Sequence, residues 1–216
     1  MKKLNIIYED KEILVVNKPS KLLTVGTDKE RERTLYHEVR EYLHKKNQKV
    51  FVVHRLDKDT SGIVLFAKNP RLKELLQRDW LRYTREYRAV VEGKLPKKKD
   101  TLRFYLQEDK NHHVYVSEKG LSSVTEYEVL DTNKTQSLIS VRIKTGRKNQ
   151  IRASLAYIGN PIVGDKKYDA KINSLSRLGL HANRLVIKHP ITGKEMTFVS
   201  KTPKVFYLGF KDYNEE

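Results

Sequence analysis

Cysteine is absent from all 216 residues. That excludes disulfides, thiolate catalysis and cysteine-based zinc or iron–sulfur centres together. Long apolar runs are missing as well. None approaches the roughly 18–20 residues of a membrane-spanning helix, and no stretch sets Trp or Phe on one helical face against Lys or Arg on the other, as a membrane-surface helix would. The opening MKKLNIIYEDKEILVV places two lysines before a short apolar run, but Glu9, Asp10, Lys11 and Glu12 interrupt it, unlike a secretory signal. No repeat or low-complexity tract occurs, and the longest run of one charge is Lys97–Lys98–Lys99. These absences leave a soluble globular protein with no membrane partner, and the expected compartment is the cytoplasm.

Negative charge is the other scarcity. Asp and Glu number 27 against 44 Lys and Arg, a formal net charge of +17. A positive field of this size concentrates polyanions, and every phosphate it neutralises releases counterions, so a nucleic acid is the expected partner. The seven histidines lack ligand spacing: His112 and His113 are adjacent, and no His-Glu-x-x-His occurs. Apolar residues still make up 38% of the chain and recur in short runs, enough for a sizeable core.

Strand-like runs fall at 12–16, 62–66, 87–91, 113–116, 124–130, 137–143 and 184–187, and the stretches 124–130 and 138–143 alternate apolar with polar, as half-buried antiparallel strands do. Helical spacing predicts 34–45, with Leu35, Val39, Tyr42 and Leu43 on one face. It also predicts 70–81, capped by Asn69 with Pro70 at the first position, and 149–158, stopped by Gly159–Asn160–Pro161. Strands in blocks with interspersed helices make an α+β fold: one domain over 1–216, a largely antiparallel mixed β-sheet with flanking helices. The basic stretch EGKLPKKKD at 92–100 is the one clear break, read as an exposed loop because strand-like sequence continues on both sides.

Between the apolar runs FVV and IVLFAK stands HRLDKDTSG, residues 54–62. Asp57, Asp59, Ser61 and Gly62 match positions 1, 3, 5 and 6 of a calcium-binding EF-hand loop, but position 12, which should be a bidentate Glu, is Lys68. No metal is expected there. Asp59 to Gly62 suit a turn. A turn leaves HRLD unexplained: Asp57, separated from Arg55 by Leu56 alone, suits a nucleophile or base, and a structural Arg–Asp ion pair would carry the same signature.

HRLDKDTSGIVLFAK resembles the catalytic motif of the RluA-type pseudouridine synthases. NKPSKLLTV (17–25), REYRAVVEG (85–93), KTGRKNQIR (144–152), GNPIVGDKKY (159–168) and RLGLHANRLVIKHPITG (177–193) resemble further segments of that family, in its order and spacing. The resemblance implies a pseudouridine-synthase-like fold and an RNA-modifying isomerase without a cofactor. A uridine of rRNA or tRNA is flipped out, its bond from N1 to ribose is broken, and the base is rotated and rejoined through C5. By carry-over Asp57 is the nucleophile, at uracil C6 or at the ribose C1′. Tyr87 packs against the base and is a candidate for proton transfer, and Arg152 pairs with Asp57. Arg55 fills the space the base vacates. His54, Lys18, Arg147 and Ile151 fall in the matched motifs as RNA- or substrate-contacting residues.

Departures occur at Lys21, Lys148–Asn149, Ser154 and Asp169; all flank the expected cleft, so they bear on substrate identity rather than on the chemistry. The family-like sequence starts near residue 6, so the S4-type RNA-binding domain that many relatives carry is not expected ahead of it. Recognition is then expected from the catalytic domain itself, favouring a compact stem-loop or tRNA-like target, with monomer as the default state. Two other classes compete: a noncatalytic RNA-binding protein or chaperone on the same scaffold, which would gain nothing from Asp57, and a ribosome-associated structural protein, which predicts basic tails where this chain ends in DYNEE.

Overall fold

The computed structural model describes residues 4–26 and 30–211. The lysines at 2 and 3 and the DYNEE end lie outside that range. In chain order the strands are β1 (Ile6–Glu9), β2 (Ile13–Lys18), β3 (Phe51–Val52), β4 (Ser61–Ala67), β5 (Thr84–Glu92), β6 (Lys99–Glu108), β7 (Val114–Val116), β8 (Leu121–Thr132), β9 (Gln136–Ile143), β10 (Leu180–Lys188) and β11 (Glu195–Val199). The helices are α1 (Leu35–His44), α2 (Pro70–Arg78) and α3 (Gln150–Tyr157). The architecture is α+β and predominantly antiparallel. By their internal contacts the residues form two compact units, Met1–Tyr83 with Ala182–Lys201, and Thr84–His181 with Thr202–Glu216. The basic 92–100 stretch lies inside the second unit, joining β5 to β6.

In the first unit the strand order is β1-β2-β4-β10, with β11 on β10 and β3 on β4. β4 is buried at all seven residues, which is why GIVLF reads as a continuous apolar run rather than an alternating one. Antiparallel pairing sets Val15 opposite Leu65 and Asn17 opposite Ile63. Thr34 caps α1 by accepting the His37 N–H at 3.1 Å, and Leu35, Val39 and Leu43 form its buried stripe. Asn69 caps α2 in the same way, accepting the Leu72 N–H at 2.8 Å, with Pro70 at the first position. This helix ends at Arg78, earlier than its apolar spacing suggests. Trp80 belongs to a separate 3₁₀ turn, Trp80–Arg82; its ring packs against the cluster that holds Leu72 and Leu76 and stacks on His54. Ile13, Val15, Ile63, Leu65, Leu72, Leu76, Leu185 and Phe198 make the core of this unit.

The second unit is built on the antiparallel order β5-β9-β8-β6-β7. One face of its sheet carries Ala89, Val91, Ile139, Val141 and Tyr127 and packs against Ile151 and Leu155 of α3. On the other face Val90 and Leu138 meet Val163, Leu175, Phe206 and Phe210. Successive strand residues thus serve two separate cores, as a pleated period of two requires. Among the described residues no helix is long and apolar enough to cross a membrane.

Candidate active site

Within the first unit, HRLDKDTSG joins β3 to β4 and is held by its backbone from one short segment, residues 18–24. Thr24 Oγ1 donates to the Leu56 carbonyl at 2.7 Å and accepts the Leu56 N–H at 3.1 Å. Ser20 Oγ donates to the Asp59 carbonyl at 2.7 Å. The Lys18 Nζ donates to the carbonyls of Lys58, Leu22 and Pro19 at 3.0, 2.7 and 3.0 Å. Lys18 is fully buried, and a buried ammonium is tolerable because its three donors meet three acceptors. In the structure its ammonium is held by the chain's own backbone, whereas the resemblance implied an RNA or substrate contact. Asp57, half-buried, is carried between the clamped peptides of Leu56 and Lys58, and Arg55 is exposed beside it.

His54 opens the loop as a latch. Its Nε2 accepts the Leu65 N–H at 3.0 Å, which puts the ring proton on Nδ1, and the ring stacks on Trp80 at 4.2 Å. The Thr60–Ser61–Gly62 stretch, which suits a turn by composition, is instead the entry to β4; the bend comes earlier, at Lys58–Asp59. Gly62 has φ +115°, and a Cβ there would stand 2.2 Å from the Ala182 carbonyl oxygen, so close approach of β10 is what demands glycine.

Within the second unit, Tyr87 lies half-buried on β5 opposite Val141, against the apolar cluster under α3. Two residues earlier, the buried Arg85 donates to the Ile143 and Thr145 carbonyls, both at 3.3 Å. Burial lowers its guanidinium below the ordinary arginine value, and the neighbouring Tyr87 offsets part of that. The following loop is closed by Gln150, whose Oε1 accepts from Thr145 Oγ1 at 2.8 Å and the Arg147 N–H at 3.0 Å while its Nε2 donates to the Val124 carbonyl and to Thr125 Oγ1. Asn149 adopts the left-handed conformation just before α3. Arg147 is exposed and its Nε donates to the Ser122 carbonyl. Ile151 is buried in the apolar cluster and anchors the helix.

Arg152, one residue on, forms a buried fork with Asp165: Nε to Oδ2 and Nη2 to Oδ1, both 2.7 Å. The Tyr168 ring lies 5.3 Å from the guanidinium carbon. Ser20, Thr24, Asp165 and Tyr168 stand in family-like stretches without a signal of their own; hydrogen bonding across the chain is what distinguishes them. Among the described residues no group of three or more His, Asp or Glu side chains is placed to hold a metal ion.

The chain belongs to the RNA pseudouridylate synthase family, whose model matches residues 12–157, the stretch that holds Asp57, Tyr87 and Arg152. Individual relatives agree. The uncharacterized RNA pseudouridine synthase YhcT of Bacillus subtilis (strain 168) is 36% identical over 197 residues, covering 88% of this chain and 65% of its own. The ribosomal large subunit pseudouridine synthase D of Buchnera aphidicola is 34% identical over 227 residues, 93% of this chain and 70% of its own. This chain thus spans about two thirds of the length of such relatives. Among solved structures, human RNA pseudouridylate synthase domain containing 4 superposes with a TM-score of 0.77 at 23% identity, covering 94% of this chain and 90% of that one, a likeness of fold.

Proposed function

We propose that this chain is an RNA pseudouridine synthase in which Asp57 is the nucleophile. The observation that carries the reading is the presentation of Asp57: a half-buried carboxylate whose flanking peptides are each fixed by hydrogen bonds from residues 18–24. Membership of the family and the +17 charge support it. The target uridine leaves its stack, at a cost of a few kcal/mol, and Arg55 takes the vacated space. Asp57 bonds covalently to the flipped nucleotide, the bond between N1 and ribose breaks, the base turns, and the bond from C5 to ribose forms; the bond to Asp57 then breaks, the C5 hydrogen leaves as a proton and N1 takes one up. By the family resemblance Tyr87 lies against the base and moves a proton, and Arg152 pairs with Asp57. Arg147 is the phosphate contact, being exposed on a rigid loop. The chain, 1–216, works as one catalytic domain, as a cytoplasmic monomer, on uridines of rRNA or tRNA. The name of the Buchnera relative makes large-subunit rRNA the first RNA to try.

The test is tritium release from large-subunit rRNA and tRNA transcripts labelled at uracil C5. Release by the wild-type chain and none by a folded Asp57→Asn variant is the expected result. Tight RNA binding without release on any RNA would replace this reading by the noncatalytic binder.

A further inference from the structure

The stretch GNPIVGDKKY resembles the family in sequence, yet the reaction as proposed gives its acid no part. We infer that Asp165 is a positioning residue for that reaction, holding Arg152 in the plane and place from which it acts on the nucleophile; this rests on the synthase reading. Arg152 and Asp165 are 7% and 1% exposed, so solvent does not share in orienting either group. A guanidinium has five N–H donors in a fixed plane. Two parallel bonds of 2.7 Å from Nε and Nη2 to the two oxygens of one carboxylate fix both that plane and its distance, which a single contact would not do.

Asp165 is itself anchored. Its N–H donates to the Ile162 carbonyl at 3.0 Å, and Oδ1 accepts the Lys167 N–H at 3.2 Å as the 3₁₀ turn Lys166–Tyr168 begins. That turn brings the Tyr168 ring to 5.3 Å from the guanidinium carbon, and the Tyr168 hydroxyl is tied to the Val114 carbonyl at 2.9 Å. Carboxylate and ring therefore meet the guanidinium from a single rigid turn. The obvious alternative is a staple that merely fastens α3. But α3 is already fastened, by Ile151 and Leu155 in the apolar cluster and by the four hydrogen bonds of the Gln150 side chain. Buried ion pairs are poor sources of stability where apolar packing is available. A pair kept here, one residue from a packed core position, is better explained by what it does to the arginine.

The test compares wild type, Asp165→Asn and Asp165→Glu for kcat and KM of tritium release, RNA affinity and thermal melting. For folded Asp165→Asn, kcat is expected to fall on the order of 100-fold with KM and RNA affinity unchanged, because the loss is in placing a catalytic group. Asp165→Glu keeps the charge and shifts the fork by one methylene, so it is expected to recover part of kcat. Folded variants with wild-type kcat overturn the proposal, and so does a loss confined to RNA affinity. Should Asp165→Asn fail to fold, Asp165→Glu decides by the same two criteria. A wild-type chain that releases no tritium sinks the synthase reading and this proposal with it. An active wild type beside equally active variants sinks this proposal alone.

Discussion

Thr24 is a small residue with a large share in the geometry around Asp57. Its hydroxyl both donates to and accepts from the same residue's backbone, at Leu56, and it is 2% exposed. Replacing it with valine keeps the shape and strips both bonds, leaving a buried N–H and a buried carbonyl unsatisfied. Thr24→Val is expected to cost about 2 kcal/mol or more in urea unfolding. On the proposed mechanism it is also expected to lower kcat of tritium release, because the loop it holds carries Asp57. Equal stability and equal kcat would remove Thr24 from the site. Lys18 belongs to the same argument: its ammonium sits on three carbonyls, and only the fold reveals that a lysine in a basic protein is internal.

Among the elements, β4 governs how Asp57 is presented, and Gly62 governs β4. At φ +115°, with the backbone of Ala182 where a Cβ would go, Gly62 has both reasons to be glycine at once. Gly159 offers the control, since its φ is +81° but nothing lies within 4 Å of the place a Cβ would take. Gly159→Ala is expected to cost about 1–2 kcal/mol from backbone conformation alone. Gly62→Ala, which adds a backbone collision, is expected to yield little folded protein. Soluble yield and thermal melts of the two variants check this; equal melting points would mean that β10 can yield at Ala182. The strand-like runs leave out β1, β6 and β11, and β3 figures in the sequence only as the apolar run FVV. β6 sets Arg103 and Tyr105 outward and begins in the lysine run, so its β character comes from pairing with β8 and β7 rather than from its composition. Helices α1 and α2, by contrast, carry their caps, Thr34 and Asn69, and their apolar stripes in local sequence.

For the molecule as a whole, net positive charge leaves few carboxylates, and some of them hold distant segments together. Glu9 on β1 receives Lys68 from the end of β4 at 2.8 Å and Tyr42 from α1 at 2.7 Å, with Lys46 at 3.0 Å. Burial alone would raise its pKa, but the hydrogen bonds from Lys68, Tyr42 and Lys46 win and lower it from 4.5 to about 2. Asp10 is shifted the same way: burial opposes, and the N–H groups of Ile13 and Glu12 prevail. A carboxylate whose folded pKa is depressed binds fewer protons folded than unfolded. Its contribution is therefore complete above about pH 4.5 and lost as pH falls toward 2. Wild type is expected to lose stability across that window, and Glu9→Gln to lose less across it from a lower starting point, as urea midpoints against pH would record. Parallel curves would deny Glu9 the role.

The sequence by itself determined the class of fold, the polyanionic partner, two helix starts and the candidate nucleophile, because periodicity, caps, net charge and a contiguous motif are all local or additive properties. Only the tertiary structure decided what holds the Asp57 loop and what pairs with Arg152. Residues 18–24 reach Leu56, Lys58 and Asp59 across 32 to 40 positions, and Asp165 meets Arg152 from 13 positions away. Hydrogen bonds of that kind are chosen by where the folded backbone brings donors and acceptors together, and no local pattern in the chain encodes that meeting.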